Sequence, residues 1–433
     1  MPPLYTIDAM PVPVFERRTL ANGLRVLTAP LAHAQSVACF VMLAAGSRYE
    51  RAGNRGIAHF AEHMFFKGTE RRPTSRDLTT IVDGIGGEFN AFTSKEYTGY
   101  YVRCAGADRD TAFDVLLDML RHSKFDSDEI EREKGVILEE MNMYNDTPRD
   151  HIGTVYETLM FGDNPLGWEI LGTKDTIRSA KRETFLDYIG EWYTPERMIV
   201  GVSGMVGDAL EPMLEELLGD MSPNGDRSPA PAELDASPGP RVKVHNKEAD
   251  QAHLILGVPS YPIDHPDRYT LQLLSTVLGG GMSSRLFTEV RERRGLAYYV
   301  HGVNHSYTDA GSLYAQAGVD LNRIDDAVKV IVEQFENMAS EPVPSDELEK
   351  ARSLSKGRFV LRTESPQGLL MFGLNREVLE GSALEPEQYL AALDSVTVED
   401  VQRVAQDLIA RKNVRLAVIG PFDDDERFAK LLA

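Results

Sequence analysis

Cysteine is nearly absent. Only Cys39 and Cys104 occur among 433 residues, both within apolar, strand-like stretches, so a disulfide framework is excluded and each thiol reads as a small core side chain. No uninterrupted apolar run approaches the roughly 18 residues needed to span a bilayer, which excludes a transmembrane helix and a membrane partner. The opening MPPLYTIDAMPVPVFERRTL has neither a charged segment leading into an apolar run nor an Arg/Ser-rich presequence, so a soluble, reducing, cytoplasmic setting is expected. Positive charge is also scarce. Lys and Arg total 46 against 67 Asp and Glu, a net charge of -21, so a nucleic acid would meet net repulsion and a cationic ligand attraction. Hydrophobic residues at 42% and charged residues at 26% exclude a disordered or fibrous chain.

The proline-rich stretch 223–240, PNGDRSPAPAELDASPGP, has no hydrophobic period and reads as a linker. It separates an N-terminal domain, 1–222, from a C-terminal domain, 241–433, and the two resemble each other. YVRCAGAD at Tyr101–Asp108 is echoed 212 positions later by LYAQAGVD at Leu313–Asp320, and each precedes an amphipathic helix pattern. SDEIER at 127–132 is echoed 218 positions later by SDELEK at 345–350. The matches keep their order, which argues for duplication. Within each copy, alternating runs such as GLRVLTAP, TGYYVRCAG and MIVGVSG read as strands between helical periods. The fold class expected is α+β: two homologous α/β domains, each a largely antiparallel sheet packed with helices on one face.

The first domain carries GIAHFAEHMFFKGT. His59, Glu62 and His63 stand at i, i+3 and i+4, so on a helix they occupy about 100° of circumference. The helix expected runs from Asn54, as N-cap, to Lys67, with Gly68 just beyond. Two imidazoles so spaced bind one zinc ion, and the acid between them reaches a water on it; this is the HxxEH arrangement. A catalytic zinc needs a third protein ligand and an open position. SDEIEREKGVILEEMNMY supplies one. With Ile130 as the reference direction, Ile137, Met141 and Tyr144 fall within about 40° of it and form an apolar stripe. Glu133 and Glu140 then share one edge of that stripe, whereas Glu139 falls on the opposite side of the helix, toward water. Periodicity therefore selects Glu140 as ligand, with Glu133 behind it supporting the site.

HxxEH, followed 77 positions after His63 by Glu140 within EREKGVILEE, resembles the pitrilysin or insulinase family of zinc peptidases, the inverzincins, in their short two-domain form. NGLRV, AAGSRYE, NAFTSKEYTGY, NPLGWEILGT and YTPERMIVGVSG extend the likeness, and GGGMSSRLFTEVRERRGLAYYV carries it into the second domain. The resemblance implies Zn2+ held by His59, His63 and Glu140, Glu62 as catalytic base and Glu133 as supporting acid, matching the helical geometry. The second domain has no HxxEH and should hold no metal. Its RERRGLAY places Arg291 and Tyr298 seven residues apart, a pair that in active members of the family contacts substrate near the scissile bond. Chemically, an Arg fork holds a carbonyl and a phenol donates to a developing oxyanion; the alternative for Arg291 is one more solvated charge beside Arg293 and Arg294. GGGMSS lacks the GK[ST] ending of a phosphate loop. NAFTSKEYTGY suits an edge strand to which an extended peptide adds by backbone pairing, with Asn90 near its start as a substrate contact or a turn residue.

The function expected is a zinc endopeptidase acting on peptides or unfolded segments, and the alternative is a noncatalytic scaffold or assembly subunit of the same fold. Since full peptidases of the family hold four such units, the resemblance implies pairing, as a homodimer or as a heterodimer with a degenerate homologue. An interior sharing the net negative charge would favour Lys- or Arg-rich peptides.

Overall fold

Two stretches of the chain expected to alternate, SVACFVML and MIVGVSG, are instead apolar at nearly consecutive positions, the pattern of strands covered on both faces. In the computed structural model, which describes residues 15–207, 210–224, 228–229, 231–232 and 241–433, both are buried almost throughout. Most of the expected linker lies outside the described residues, as does the segment 1–14 with the N-terminal reading made of it.

The first sheet contains β1 (Glu16–Thr19), β2 (Arg25–Pro30), β3 (Ser36–Leu43), β4 (Glu88–Thr93), β5 (Thr98–Ala105) and β6 (Met198–Gly204) in the order β1-β2-β6-β3-β5-β4. The second contains β7 (Val242–Asn246), β8 (Ala252–Ser260), β9 (Ala297–Ser306), β10 (Gly311–Val319) and β11 (Arg415–Gly420) in the order β7-β11-β8-β10-β9. Apart from β1 the orders are identical, and each sheet has one parallel pair, β2 with β6 and β7 with β11, among antiparallel neighbours. The repeated sequences fall on matching elements: YVRCAGAD and LYAQAGVD on β5 and β10, SDEIER and SDELEK at the starts of helices Ser127–Asp146 and Ser345–Thr363.

Helices cover both faces of the sheets, where one face was expected. Arg109–His122 packs on β3 and β5 from its own half, but the opposite face of β2, β3 and β6 receives Pro366–Glu380 from the other half. Reciprocally, Pro148–Phe161 lies on β7, β8 and β11 of the second sheet, where Ile152, Val155 and Tyr156 form a buried cluster with Ile255, Ala417 and Ile419. Glycines permit the approach. A Cβ on Gly257 would lie 2.4 Å from the Tyr156 hydroxyl, and one on Gly201 2.9 Å from Leu374.

The halves also meet through the turns that follow β4 and β9. The Arg48 guanidinium, essentially buried, donates to Glu96 at 2.6 Å and pairs with Asp309 at 2.5 Å. Glu96 in turn accepts from the Thr308 backbone at 3.0 Å and its hydroxyl at 2.6 Å.

Candidate metal centre

The first site element is the helix Ile57–Phe65, shorter at both ends than the expected Asn54–Lys67. Asn54 closes a preceding tight turn, its side chain accepting from the Arg51 backbone at 2.7 Å. The helix start is capped from a distance by buried Glu50, which accepts from the Gly56 and Ala58 backbones at 2.8 Å each. A carboxylate there satisfies orphan amides and meets the positive end of the helix dipole. Burial pushes the Glu50 carboxyl up to about 8, against the pull of those two hydrogen bonds. Ile57, Ala58, Phe60, Ala61, Met64 and Phe65 are buried, which fixes the rotation of the helix and turns His59, Glu62 and His63 to one side.

Helix Ser127–Asp146 supplies the acids. Asp126 caps it, accepting from the Asp128 and Glu129 backbones, and Ile130, Ile137 and Met141 form its buried stripe while Glu139 is exposed, as periodicity required. Tyr144 departs from that reading: it is 40% exposed and lines the cleft beside the histidines.

Glu140 approaches both imidazoles, 3.8 Å from His59 Nε2 and 3.6 Å from His63 Nε2. The ligand atoms of the three side chains lie within 4.8 Å of one another, the one such cluster found among the described residues. These separations exceed hydrogen bonds. They come close to the roughly 3.3 Å edge of a tetrahedron whose centre is about 2.0–2.1 Å from each ligand, the geometry of protein-bound zinc. The donor set therefore fits Zn2+, with His59, His63 and Glu140 holding it and one position open.

The surroundings prepare the donors. Burial, and secondarily the charge of His63, lowers the His59 pKa to about 3, so the ring stays neutral, as a ligand must be. His63 Nδ1 meets Glu133 at 2.9 Å, which leaves Nε2 free to face the cluster. Burial opposes ionisation of Glu133, but hydrogen bonds from His63 and from Lys67, at 2.5 Å, outweigh it and hold the carboxyl below its ordinary range. Burial raises the pKa of Glu62, opposed by the hydrogen bond that Thr93 donates at 2.5 Å. Glu140 is raised as well, chiefly by burial.

A cleft of about 320 Å³ opens beside the cluster, bounded by His59, Glu62, Glu140, Thr93, Glu157 and Glu169. Buried Lys95 also borders it, paired with Glu157 at 3.0 Å and donating to the Trp168 carbonyl. Thr93, Lys67, Glu50 and Lys95 were not singled out from sequence. Lys67 carried a signal, standing four residues after His63; Glu50 and Lys95 carried none, because their partners are brought by tertiary contact.

β4 is an edge strand, bonded only to β5, and Thr93 at its end touches Glu62. Asn90 is the third residue of β4, exposed, its side chain accepting from the Ala91 backbone at 2.8 Å. Arg291 and Tyr298 come together at the corresponding edge of the second sheet, the guanidinium 5.7 Å from the ring centroid, with Tyr298 72% exposed. Arg293 and Arg294 are drawn instead to Glu289. Among the described residues, neither Arg291 nor Tyr298 makes a hydrogen bond, ion pair or ring contact with the cluster.

Comparison with known proteins agrees with this arrangement. Residues 25–174 match the family model described as insulinase, peptidase family M16, and residues 179–355 match the peptidase M16 inactive domain. A Bacillus subtilis protein described as an uncharacterized zinc protease, YmxG, is 36% identical over 409 residues, covering 94% of this chain and 98% of its own. A Streptomyces coelicolor protein described in the same words is 34% identical over 418 residues, covering 95% and 90%. A crystal structure of a protease from Helicobacter pylori shares the fold at a TM-score of 0.86 and 24% identity, covering 95% of this chain and all of that one. Likeness across nearly the whole length, with the histidine-glutamate cluster inside the first matched stretch, makes the chain a member of the insulinase family of zinc metallopeptidases, peptidase family M16.

Proposed function

We propose that the protein is a zinc endopeptidase cleaving peptides or unfolded segments, with Glu62 as the base. The observation carrying this reading is the pairing of a complete three-donor cluster with a fourth, non-ligating carboxylate on the same helical face. Bound zinc supplies a Lewis acid and an acidified water. Glu62 Oε1, free while Oε2 accepts from Thr93, takes the proton from the attacking water and returns it to the leaving amine. Its raised pKa brings that exchange nearer neutral pH. Glu133 fixes the His63 ring, and the open edge of β4, with Asn90, receives the extended substrate by backbone pairing.

In this reading 1–222 is the metal-holding domain, 223–240 the linker and 241–433 the substrate-contacting domain, where Tyr298 donates to the developing oxyanion and Arg291 holds a neighbouring carbonyl. Because Arg291 and Tyr298 do not touch the cluster of their own chain, a second copy meeting the first face to face is the economical source of a closed chamber, a homodimer before a heterodimer. No helix among the described residues is long and apolar enough to cross a membrane; the cytoplasm is the setting we propose, supported by two buried, unpaired cysteines.

Glu62→Gln tests the assignment. It should retain zinc and lose turnover by about 10²–10⁴-fold, whereas His59→Ala should lose the ion. Unchanged peptide hydrolysis in Glu62→Gln would overturn the role of the base, and zinc-loaded protein that cleaves no peptide would favour a scaffold.

A further inference from the structure

The duplicated fold places a second cleft where the first holds its metal. Helices Arg268–Gly279, Ser345–Thr363 and Pro366–Glu380, with β9, stand in for Ile57–Phe65, Ser127–Asp146, Pro148–Phe161 and β4. They enclose about 1050 Å³, against about 320 Å³ for the metal cleft. The charge is reversed. Glu62, Glu140, Glu157 and Glu169 border the first cleft, while Arg268, Arg358, Arg362 and Arg376 border the second with no Asp or Glu among its lining residues.

Only part of that positive charge is met. Glu380 pairs with Arg268 at 3.0 Å and with Arg376 at 2.7 Å, one carboxylate for two guanidiniums. Arg358 donates to the Gly280 carbonyl at 2.5 Å, a neutral partner. Arg362, exposed at the mouth, has no hydrogen bond or ion pair from its guanidinium among the described residues. Tyr269, Phe372 and Tyr389 line the interior, with ring centroids 5.9 Å apart for the tyrosines and 5.6 Å for Phe372 and Tyr389. An aromatic interior with arginines at its rim, in a protein of net charge -21, is a local inversion of the molecular field and suits a carboxylate carried on an apolar segment.

We propose that this cavity is an anchor for the peptide substrate, recognising a carboxylate distant from the scissile bond, either an acidic side chain or a free C-terminus. The proposal rests on the peptidase reading. It makes the two clefts of one fold complementary in use: the metal cleft handles the reacting amide and the arginine cleft holds another part of the same peptide.

The test is fluorescence anisotropy of labelled extended peptides on zinc-loaded Glu62→Gln protein, comparing an acid-containing peptide, its Glu→Gln counterpart and C-terminally amidated forms. The acid-containing peptide should bind more tightly, and Arg358→Glu with Arg362→Glu should weaken it about tenfold without changing the neutral peptide. Loss on Glu→Gln identifies a side-chain carboxylate and loss on amidation a terminal one; either supports the anchor. Arg362→Gln alone, which removes one exposed charge and leaves the packed rings intact, should cost about threefold. Equal binding of acidic and neutral peptides, or equal weakening of both, overturns the anchor even if hydrolysis is normal. Charge-dependent binding that Arg362→Gln weakens, in a wild-type chain that hydrolyses nothing, supports the anchor and overturns the peptidase reading alone.

Discussion

Glu133→Gln offers a quantitative test of how the metal centre is assembled. Glu133 touches no position where the ion would sit; it acts by accepting from His63 Nδ1 at 2.9 Å while its other oxygen pairs with Lys67 at 2.5 Å. A glutamine can offer its carbonyl oxygen to only one of these donors and turns an N–H toward the other. If the oxygen stays on His63, the amide nitrogen faces the Lys67 ammonium; if it turns to Lys67, the imidazole loses its acceptor and its preferred tautomer. Partners of this kind are worth about 10–100-fold in metal affinity, or about 1.4–2.7 kcal/mol. We expect the zinc dissociation constant, measured by competition with a chromogenic chelator, to rise within that range. At saturating zinc, kcat should fall far less than in Glu62→Gln. Glu131→Gln, on the exposed face of the same helix, is the control and should change nothing. Zinc affinity in Glu133→Gln equal to wild type would refute the relay and leave Glu133 a structural ion-pair partner of Lys67.

Two further outcomes follow from buried charge. Glu96→Ala strands the buried Arg48 guanidinium with Asp309 and removes the acceptor of Thr308, so urea unfolding should show a loss of about 3–5 kcal/mol, with Arg48→Met added to it recovering part of the loss; a loss below about 1 kcal/mol would show that water reaches the junction. For metal-free protein, the unfolded chain protonates His59 near 6.5 but the folded chain resists until about 3, so the unfolded state binds more protons between those values. Stability should therefore be lost as pH falls through that window, and His59→Gln should flatten this part of the thermal-midpoint profile; an unchanged profile would place the ring in contact with water.

The metal helix and the acid helix were legible because each presents its chemistry at helical spacing. His59, Glu62 and His63 fall on one face by arithmetic, and Ile130, Ile137 and Met141 fix the orientation of Glu133 and Glu140 without reference to anything beyond their own helix. The duplication was legible for a similar reason, since β5 and β10 and the helices after them repeat in order. What escaped was set by contacts between distant segments. Glu50 caps the metal helix across an intervening turn, so Asn54, the nearer and better-placed candidate by local rules, lost the role. Tyr144 continued the apolar period of its helix yet lines the cleft, 40% exposed, so period alone could not separate a core residue from a cleft residue.

The covering of the sheets makes the same point on a larger scale. The apolar runs in β3 and β6 are nearly unbroken, a mark of cover on both faces that the expectation of one covered face passed over, and nothing in them says that the second cover comes from the other half of the chain. Pro366–Glu380 brings buried Leu369, Leu370 and Leu374 toward the first sheet, and Pro148–Phe161 brings Ile152, Val155 and Tyr156 to the second. At about 1.5–3 kcal/mol for each large apolar side chain taken out of water, either helix contributes an amount comparable with the roughly 5–15 kcal/mol stability of a whole domain. Severing the chain at 223–240 and separating the products would thus strip each sheet of one face. The same exchange places Glu157, on a helix docked to the second sheet, against Lys95 at the end of the first. One wall of the metal cleft is consequently braced by the second sheet, and the cluster of His59, His63 and Glu140 owes the shape of its surroundings to both copies of the fold.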